Sequence, residues 1–462
     1  MIRRFLSLLG PFVVFLCLCG ESTPARASGF YYPGRGVHSM SRGGASIAGG
    51  ETLQAIWYNP ATLTQLSGWH FLLDAGTVLT QAQYTRAPRK GENGQNITYD
   101  PVTNEAPLVP IPSLLLGYGW KDAHVTLAGG LYAPYATPLK FPDTGAQRYA
   151  LVDLSRSVLA VAHLAVSWEP HPRFRIGAGI QNFIADMNLM AAGSAYLGLF
   201  GAPEDPDLDL YSEIGLQSFF NITGNLGVWG RAVDLPGFKL DIAASLQLPV
   251  QLQATGTLRV RLPTHPAFDA VKIEGESVKS AFWFPLVARG AVRATFGSRF
   301  DLEVAFVFEN WESHKEIAVL PTGDGIWLRN VPAVGDYKVP SIVLTRDFQN
   351  SFSVRVGGQA QLLPWLQLRL GYAFETTAIP DKTFTVFLLD SNKHLIALGL
   401  SFIFRYVTVD LGYGLYLNQD RTIQNSEFQQ INPLNPEGAL PIGDGSYQST
   451  VHVLGVGARA HF

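Results

Sequence analysis

Along much of this chain apolar and polar side chains alternate with a period of two. In "VTVDLGYGLYL", Val407, Val409, Leu411, Tyr413, Leu415 and Leu417 share one face, and Thr408, Asp410, Gly412 and Gly414 share the other. Trp69, Phe71, Leu73 and Ala75 alternate with His70 and Asp74, and Leu366, Leu368, Leu370 and Tyr372 with Gln367, Arg369 and Gly371. Such a period predicts strands with one apolar face. Fourteen are read, at 69–85, 112–121, 124–134, 149–168, 173–191, 218–230, 237–256, 278–296, 300–314, 349–362, 365–377, 392–404, 406–418 and 449–462.

The gaps between them alternate long and short. "KDAH", "EPHPR", "AVDLPG", "GSR" and "LPW" are short, and the long gaps are rich in Pro, Asn, Asp and Gly. Short periplasmic turns and long outer loops are the habit of bacterial outer-membrane barrels. If the chain enters from the periplasm, Trp69, Trp120, Trp168, Trp229 and Trp365 fall at periplasmic strand ends and Trp311 toward the opposite end. This is the expected aromatic girdle, because indole prefers the headgroup interface.

Composition narrows the class. Arg3 and Arg4, an apolar run from Phe5 to Cys19 and the small-residue site Ala25-Arg26-Ala27 predict a secretory signal peptide over 1–27, cleaved before Ser28. Cys17 and Cys19, the only cysteines, lie inside it, so the mature chain has no thiol for a disulfide, metal or nucleophile. Leu16 and Leu18 stand where a lipoprotein signal needs a small residue. No later stretch reaches the roughly 18 apolar residues of a spanning helix. An exported chain of about 435 residues, 12% aromatic and only 15% charged, still crosses lipid if its strands close into a barrel. The prediction is an all-β, 14-stranded antiparallel transmembrane barrel over 67–462 in the bacterial outer membrane. It is preceded by a Gly-rich segment, 28–66, too short for a core of its own.

That segment contains "GFYYPGRGVHSMSRGGASIAGGETLQAIWYNPATL", residues 29–63. With Arg42-Gly43-Gly44-Ala45 and, above all, Asn59-Pro60-Ala61 just ahead of strand one, it resembles the N-terminal hatch of the FadL-type outer-membrane transporters of long-chain fatty acids and aromatic hydrocarbons. "LAGGLYAPYATPLKFP", "FWFPLVARGAVRATF", "DLEVAFVFENWESHKEI", "LQLRLGYAFETTAIPDK" and "NKHLIALGLSFIF" extend the resemblance over nearly the whole mature chain. Gly49-Gly50-Glu51 departs from it, since many relatives carry aspartates there. Read without the resemblance, Asn59-Pro60 is simply a turn.

The resemblance implies a hatch that plugs the lumen and a kink in the third strand through which apolar solute leaves sideways into the lipid. Gly129, Gly130 and Pro134 are the candidates for that opening: Gly weakens a ladder and Pro cannot donate to it, though both also serve as ordinary packing glycines and a loop-start proline. Arg175, Arg289, Arg293, Arg355 and Arg369 are expected to point inward with Asp74, Asp241, Asp301, Glu303, Glu375 and Asp410. An inward Arg can hold a fatty carboxylate through two parallel hydrogen bonds, or the charges can pair with one another and fix barrel and hatch. Arg35 and Arg42 invite the same two readings. Hydrophobic small molecules are the expected substrates, taken up passively, with no cofactor, metal or nucleic acid. Membrane lipid, lipopolysaccharide and the barrel assembly machinery, which would read the terminal "VHVLGVGARAHF" ending in Phe462, complete the expected partners of a monomer. A general porin would lack the long Gly-rich segment before strand one. A hydrolase would need a nucleophile motif, and the ten His residues form none.

Overall fold

A computed structural model describes residues 35–49, 51–91, 94–135 and 138–462. The expected signal peptide and the first residues of the hatch, 28–34, lie outside the described residues. Fourteen antiparallel strands close into one barrel. They are β1 (Gly68–Arg86), β2 (Val109–Trp120), β3 (Val125–Tyr135), β4 (Val158–His171), β5 (Phe174–Ser194) and β6 (Asp209–Leu235). Next come β7, in two parts (Phe238–Gln247 and Val250–Arg261), and β8, also in two parts (Ser277–Phe284 and Val287–Phe296). The rest are β9 (Phe300–Glu309), β10 (Ser351–Leu363), β11 (Leu366–Glu375), β12 (Lys393–Ile403), β13 (Val407–Asn418) and β14 (Gly445–His461). Pairing of β1 with β14, from His70–His461 to Arg86–Gly445, closes the sheet into a ring.

The barrel is apolar outside and polar inside. Leu73 is 58% exposed while its neighbour Asp74 is 2% exposed. Likewise Leu114, Leu131, Ile180, Leu398 and Leu454 point outward, and Asp301, Glu303 and Arg369 are buried within. Among the described residues no helix is long and apolar enough to cross a membrane, so the strands make the crossing.

Several expected details change. Trp69, Trp120, Trp168 and Trp365 are exposed at the turn end, as an interfacial girdle requires. Trp229 and Trp311 are not part of it. Parity turns Trp229 into the lumen, where Arg175 and Arg231 lie over its ring at 4.0 and 5.2 Å. Trp311 leaves strand geometry for a 3-10 turn, is fully buried, and donates its indole N–H to Glu309 at 2.7 Å. The fourth strand starts at Val158 rather than 149, because the preceding residues fold over the mouth, with the Tyr149 hydroxyl and Arg148 guanidinium both donating to Asp209 at 2.6 Å. β7 and β8 are interrupted at Pro249 and Pro285, which have no N–H to donate to a ladder.

At the loop end the chain turns back toward the lumen. Phe384, Val386, Phe387 and Leu388 from the β11–β12 loop, Leu139, Phe141 and Leu151 from the β3–β4 loop, and Ile442 ahead of β14 are all buried. They belong to one continuous apolar cluster that reaches Leu53, Ile56 and Trp57 in the hatch.

Candidate functional site

The hatch is held from inside the barrel by hydrogen bonds that its own short helices cannot supply. Two four-residue helices, α1 (Val37–Met40) and α2 (Ala55–Tyr58), precede a 3-10 helix over Pro60–Gln65. Asn59, in extended conformation at φ −160°, caps that last helix: its side-chain oxygen accepts from the Ala61 N–H at 3.1 Å. Its amide nitrogen donates to the Ile47 carbonyl and to the Val228 carbonyl of β6, both at 3.0 Å. Pro60 sits at the first helical position, where a missing N–H is harmless and φ is already suitable. The Ala61 carbonyl accepts from Ser167 of β4 at 2.8 Å. On the wall behind Asn59 is Gly227, where a Cβ would lie 1.9 Å from the Asn59 side-chain oxygen, so only glycine lets the asparagine come this close.

A second clasp faces β8–β10. Arg42 donates to Asp301 at 2.7 Å and to the Ala45 carbonyl at 3.0 Å. Glu303 accepts from three successive hatch N–H groups, Ile47 at 2.6 Å, Ala48 at 3.2 Å and Gly49 at 2.9 Å, a concave row of donors suited to one carboxylate. Glu51, where the sequence departs from the aspartate pattern, pairs with Arg293 and accepts from Gln359 at 2.5 Å. Burial opposes its ionisation, but the Arg293 guanidinium overcomes this and holds the carboxyl at about 2. Toward β1, Asp74 accepts from the Val37 N–H at 3.0 Å and from Gln54.

The inward arginines are placed as follows. Arg369 donates to Ser41 at 2.7 Å and Asp410 at 3.1 Å, joining hatch, β11 and β13, and Arg459 donates to the same Asp410 at 2.6 Å. Arg293 bridges Asp301, at 2.9 Å, and Glu51. Arg355 contacts Ser353 at 3.1 Å and Glu375 at 3.6 Å. Arg175 pairs with Glu169 beside Trp229. Arg289 and Arg35 both face the Trp57 ring, at 5.7 and 3.9 Å.

A cavity lies between hatch and wall. It is lined by Met40, Ile56 and Trp57 from the hatch, Ile111 and Leu115 from β2, and Tyr132, Ala133 and Pro134 from β3, with Arg35 and Asp74 among its few polar groups. Gly129 and Gly130 remain laddered to both neighbours, opposite Leu116 and Leu115 on one side and Leu164 and His163 on the other. β2 and β3 pair as far as Ser113–Tyr132 and no farther, and Ala133 and Pro134 are skipped in the register with β4. Toward the loops, residues 109–112 of β2 are paired with β1 alone. The seam thus ends where the cavity meets the wall. Sequence reasoning missed Trp57, Gln54 and Gly227, and marked Glu51 as a departure without its partners; periodicity is silent on a segment without regular structure, and a close approach is visible only once the barrel is closed.

Three solved structures share the fold. A Pseudomonas aeruginosa FadL homologue aligns with a TM-score of 0.74 at 13% identity, over 94% of this chain and 100% of its own. The Ralstonia pickettii toluene transporter TbuX aligns with a TM-score of 0.60 at 15% identity, over 93% and 99%, and the Pseudomonas putida toluene transporter TodX with 0.61 at 13%, over 95% and 100%. Comparison with curated proteins finds no significant match. The family described as outer membrane protein transport protein (OMPP1/FadL/TodX) matches residues 19–462, and the chain belongs to it.

Proposed function

We propose that the protein carries hydrophobic small molecules, long-chain fatty acids or hydrocarbons, across the outer membrane, and that they leave sideways between β2 and β3 beside Pro134. The observation that supports this most is the continuous apolar cluster from the mouth loops to the hatch, ending in a cavity whose walls include both Trp57 and the unpaired end of the seam. Lipopolysaccharide slows apolar solutes, and an aqueous pore offers them no favourable contact; an apolar path removes both obstacles, with partition down a gradient as the driving force. The solute passes unchanged, so no group need act as acid, base or nucleophile. Lipid and lipopolysaccharide surround the outward leucines, and the exposed terminal Phe462 is the feature the assembly machinery would read.

The experiment uses the absence of cysteine from the mature chain. Ser113 and Tyr132 are the last cross-strand pair of the seam, and directly opposed residues are within reach of a disulfide. Ser113→Cys with Tyr132→Cys should abolish uptake of labelled oleate and toluene in oxidised cells and recover it on reduction. Uptake indifferent to oxidation in a fully cross-linked protein would rule out exit at this seam. Equal uptake in cells with and without the parent protein would remove the transport reading altogether.

A further inference from the structure

The ladder between β6 and β7 is interrupted partway up the wall. It runs from Phe238–Leu235 to Gln247–Asn225, one further backbone bond joins the Leu248 N–H to the Gly224 carbonyl at 2.9 Å, and pairing resumes only at Thr255–Gln217. Among the described residues, 218–223 of β6 and 249–254 of β7 form no ladder pair with each other. Pro249 has no N–H to give, and β6 bulges between Asn221, opposite Phe183 of β5, and Ser218, opposite Ala185. Side chains close the gap instead. The Asn221 side-chain oxygen accepts from the Gln253 N–H at 3.0 Å, Ser218 donates to the Gln253 carbonyl at 2.6 Å, and Thr223 donates to the carbonyls of Leu248 and Pro249 at 3.1 and 3.0 Å. Asn221 is itself tied to β5, donating to the Phe183 carbonyl at 2.8 Å.

Both faces of this gap are apolar. Outside, Phe219 and Phe220 are 62% and 83% exposed, with Ile222, Leu226 and Leu248 pointing outward on the periplasmic side and Gln217 and Gln253 on the loop side, so the gap sits at the outer boundary of the lipid-facing band. Inside, Phe183, Leu252 and Phe284 are buried, the two rings stacked at 6.0 Å, and all three belong to the apolar cluster that runs from the mouth to the hatch. Asn225, the last paired residue below the gap, donates to the Ile56 carbonyl at 2.8 Å, so the gap opens on the loop side of the hatch.

We propose that the gap between β6 and β7 is a side entrance, through which apolar solute dissolved in the outer leaflet passes into the cluster behind it without crossing the mouth loops. The entrance rests on the transport reading and adds a route of entry to it, at a different seam from the exit between β2 and β3. A regular ladder in lipid opens only by exposing a row of backbone groups together. Here a few short polar side chains hold the strands, and Ser218 and Asn221, already 2.7 Å apart, can keep bonding each other when they release Gln253. Solute then exchanges one set of apolar contacts, Phe219 and Phe220, for another, Leu252 and Phe284, and never meets bulk water.

Phe219 and Gln253 point outward at opposed positions of the register that holds on both sides of the gap. Phe219→Cys with Gln253→Cys, joined by a short reducible cross-linker, locks the strands together and leaves Ser218, Asn221 and Leu252 in place. Cells are given labelled hexadecane, which is nearly insoluble in water and arrives through the lipid, or labelled toluene, which also arrives through the medium. Cross-linking should lower hexadecane uptake several-fold, reversibly on reduction, and change toluene uptake much less. Asn221→Ala removes the clasp and should raise hexadecane uptake per assembled barrel, with assembly scored by heat-modifiability; the cross-linked pair carries the test if that variant does not assemble. Hexadecane uptake indifferent to a complete cross-link would overturn the entrance, as would an equal fall for both solutes, which places the effect in their shared path. Hexadecane uptake no higher with the parent protein than without it would also overturn the entrance. Protein-dependent toluene uptake leaves the transport reading standing in each case, and loss of protein-dependent uptake of both solutes would count against transport and entrance together.

Discussion

Asn59 uses its side-chain amide as both donor and acceptor, toward the hatch on one side and β6 on the other. Asn59→Ala removes the side-chain partner of the Ala61 N–H and of the Ile47 carbonyl, at about 1–3 kcal/mol for each group left dry, and cuts the link to the Val228 carbonyl of β6. The strands remain paired around the full barrel. The variant should therefore still run as a folded, heat-modifiable species on a gel, while uptake of labelled oleate by cells falls several-fold; undiminished uptake would reduce Asn59-Pro60 to the turn that leads into β1. Glu51 supplies a pH test. Its folded value of about 2 lies below the ordinary 4.5, so the stabilisation it contributes is fully present above about 4.5 and is lost as pH falls toward 2. Single-channel conductance should stay low from pH 7 to 4 in the parent, whereas Glu51→Gln, lacking that charge, should show a raised conductance throughout. Asn59 could be singled out in the sequence because Asn-Pro is a conspicuous pair. Glu51 shows in the sequence only as a departure from the aspartate pattern, because its partners Arg293 and Gln359 are far away in the chain.

In β3 the expected break falls at Pro134 and not at the glycines, which stay in the ladder. Pro134 offers no N–H, and it falls where the register with β4 skips two residues and pairing with β2 has already ended. Pro134→Ala restores a donor and should extend the ladder, slowing transfer of oleate into cells several-fold, well beyond any change in its binding to purified protein. Gly130 plays a different part: a Cβ there would lie 2.1 Å from the Leu114 carbonyl oxygen on β2. Backbone cannot give way as a side chain does, so Gly130→Val should lower the yield of assembled barrel, measured by heat-modifiability, more than it alters uptake per assembled molecule. The number of strands and their outward faces were legible locally, because each strand must show lipid an apolar row. The splits at Pro249 and Pro285 and the inward turn of the β11–β12 loop were not. A proline marks a missing donor, but which neighbour loses it depends on the sheet.

For the molecule as a whole, the hatch fills a lumen that the strands alone would leave open. Deleting residues 30–56 should leave a folded barrel that leaks, with conductance in planar bilayers well above the parent's; unchanged conductance would mean that the loops at the mouth already seal it. The alternation of side chains, the short turns against long loops and four of the tryptophans determined the closed barrel from the sequence alone. In lipid every backbone group must be paired within the sheet, and parity along a strand then separates lipid from lumen. Only the tertiary structure decided which inward charges meet: Arg42 with Asp301, Glu303 with the N–H groups of residues 47–49, and Arg369 with Ser41 and Asp410. Most of these partners are hundreds of residues apart and come within hydrogen-bond distance when the barrel closes around the hatch.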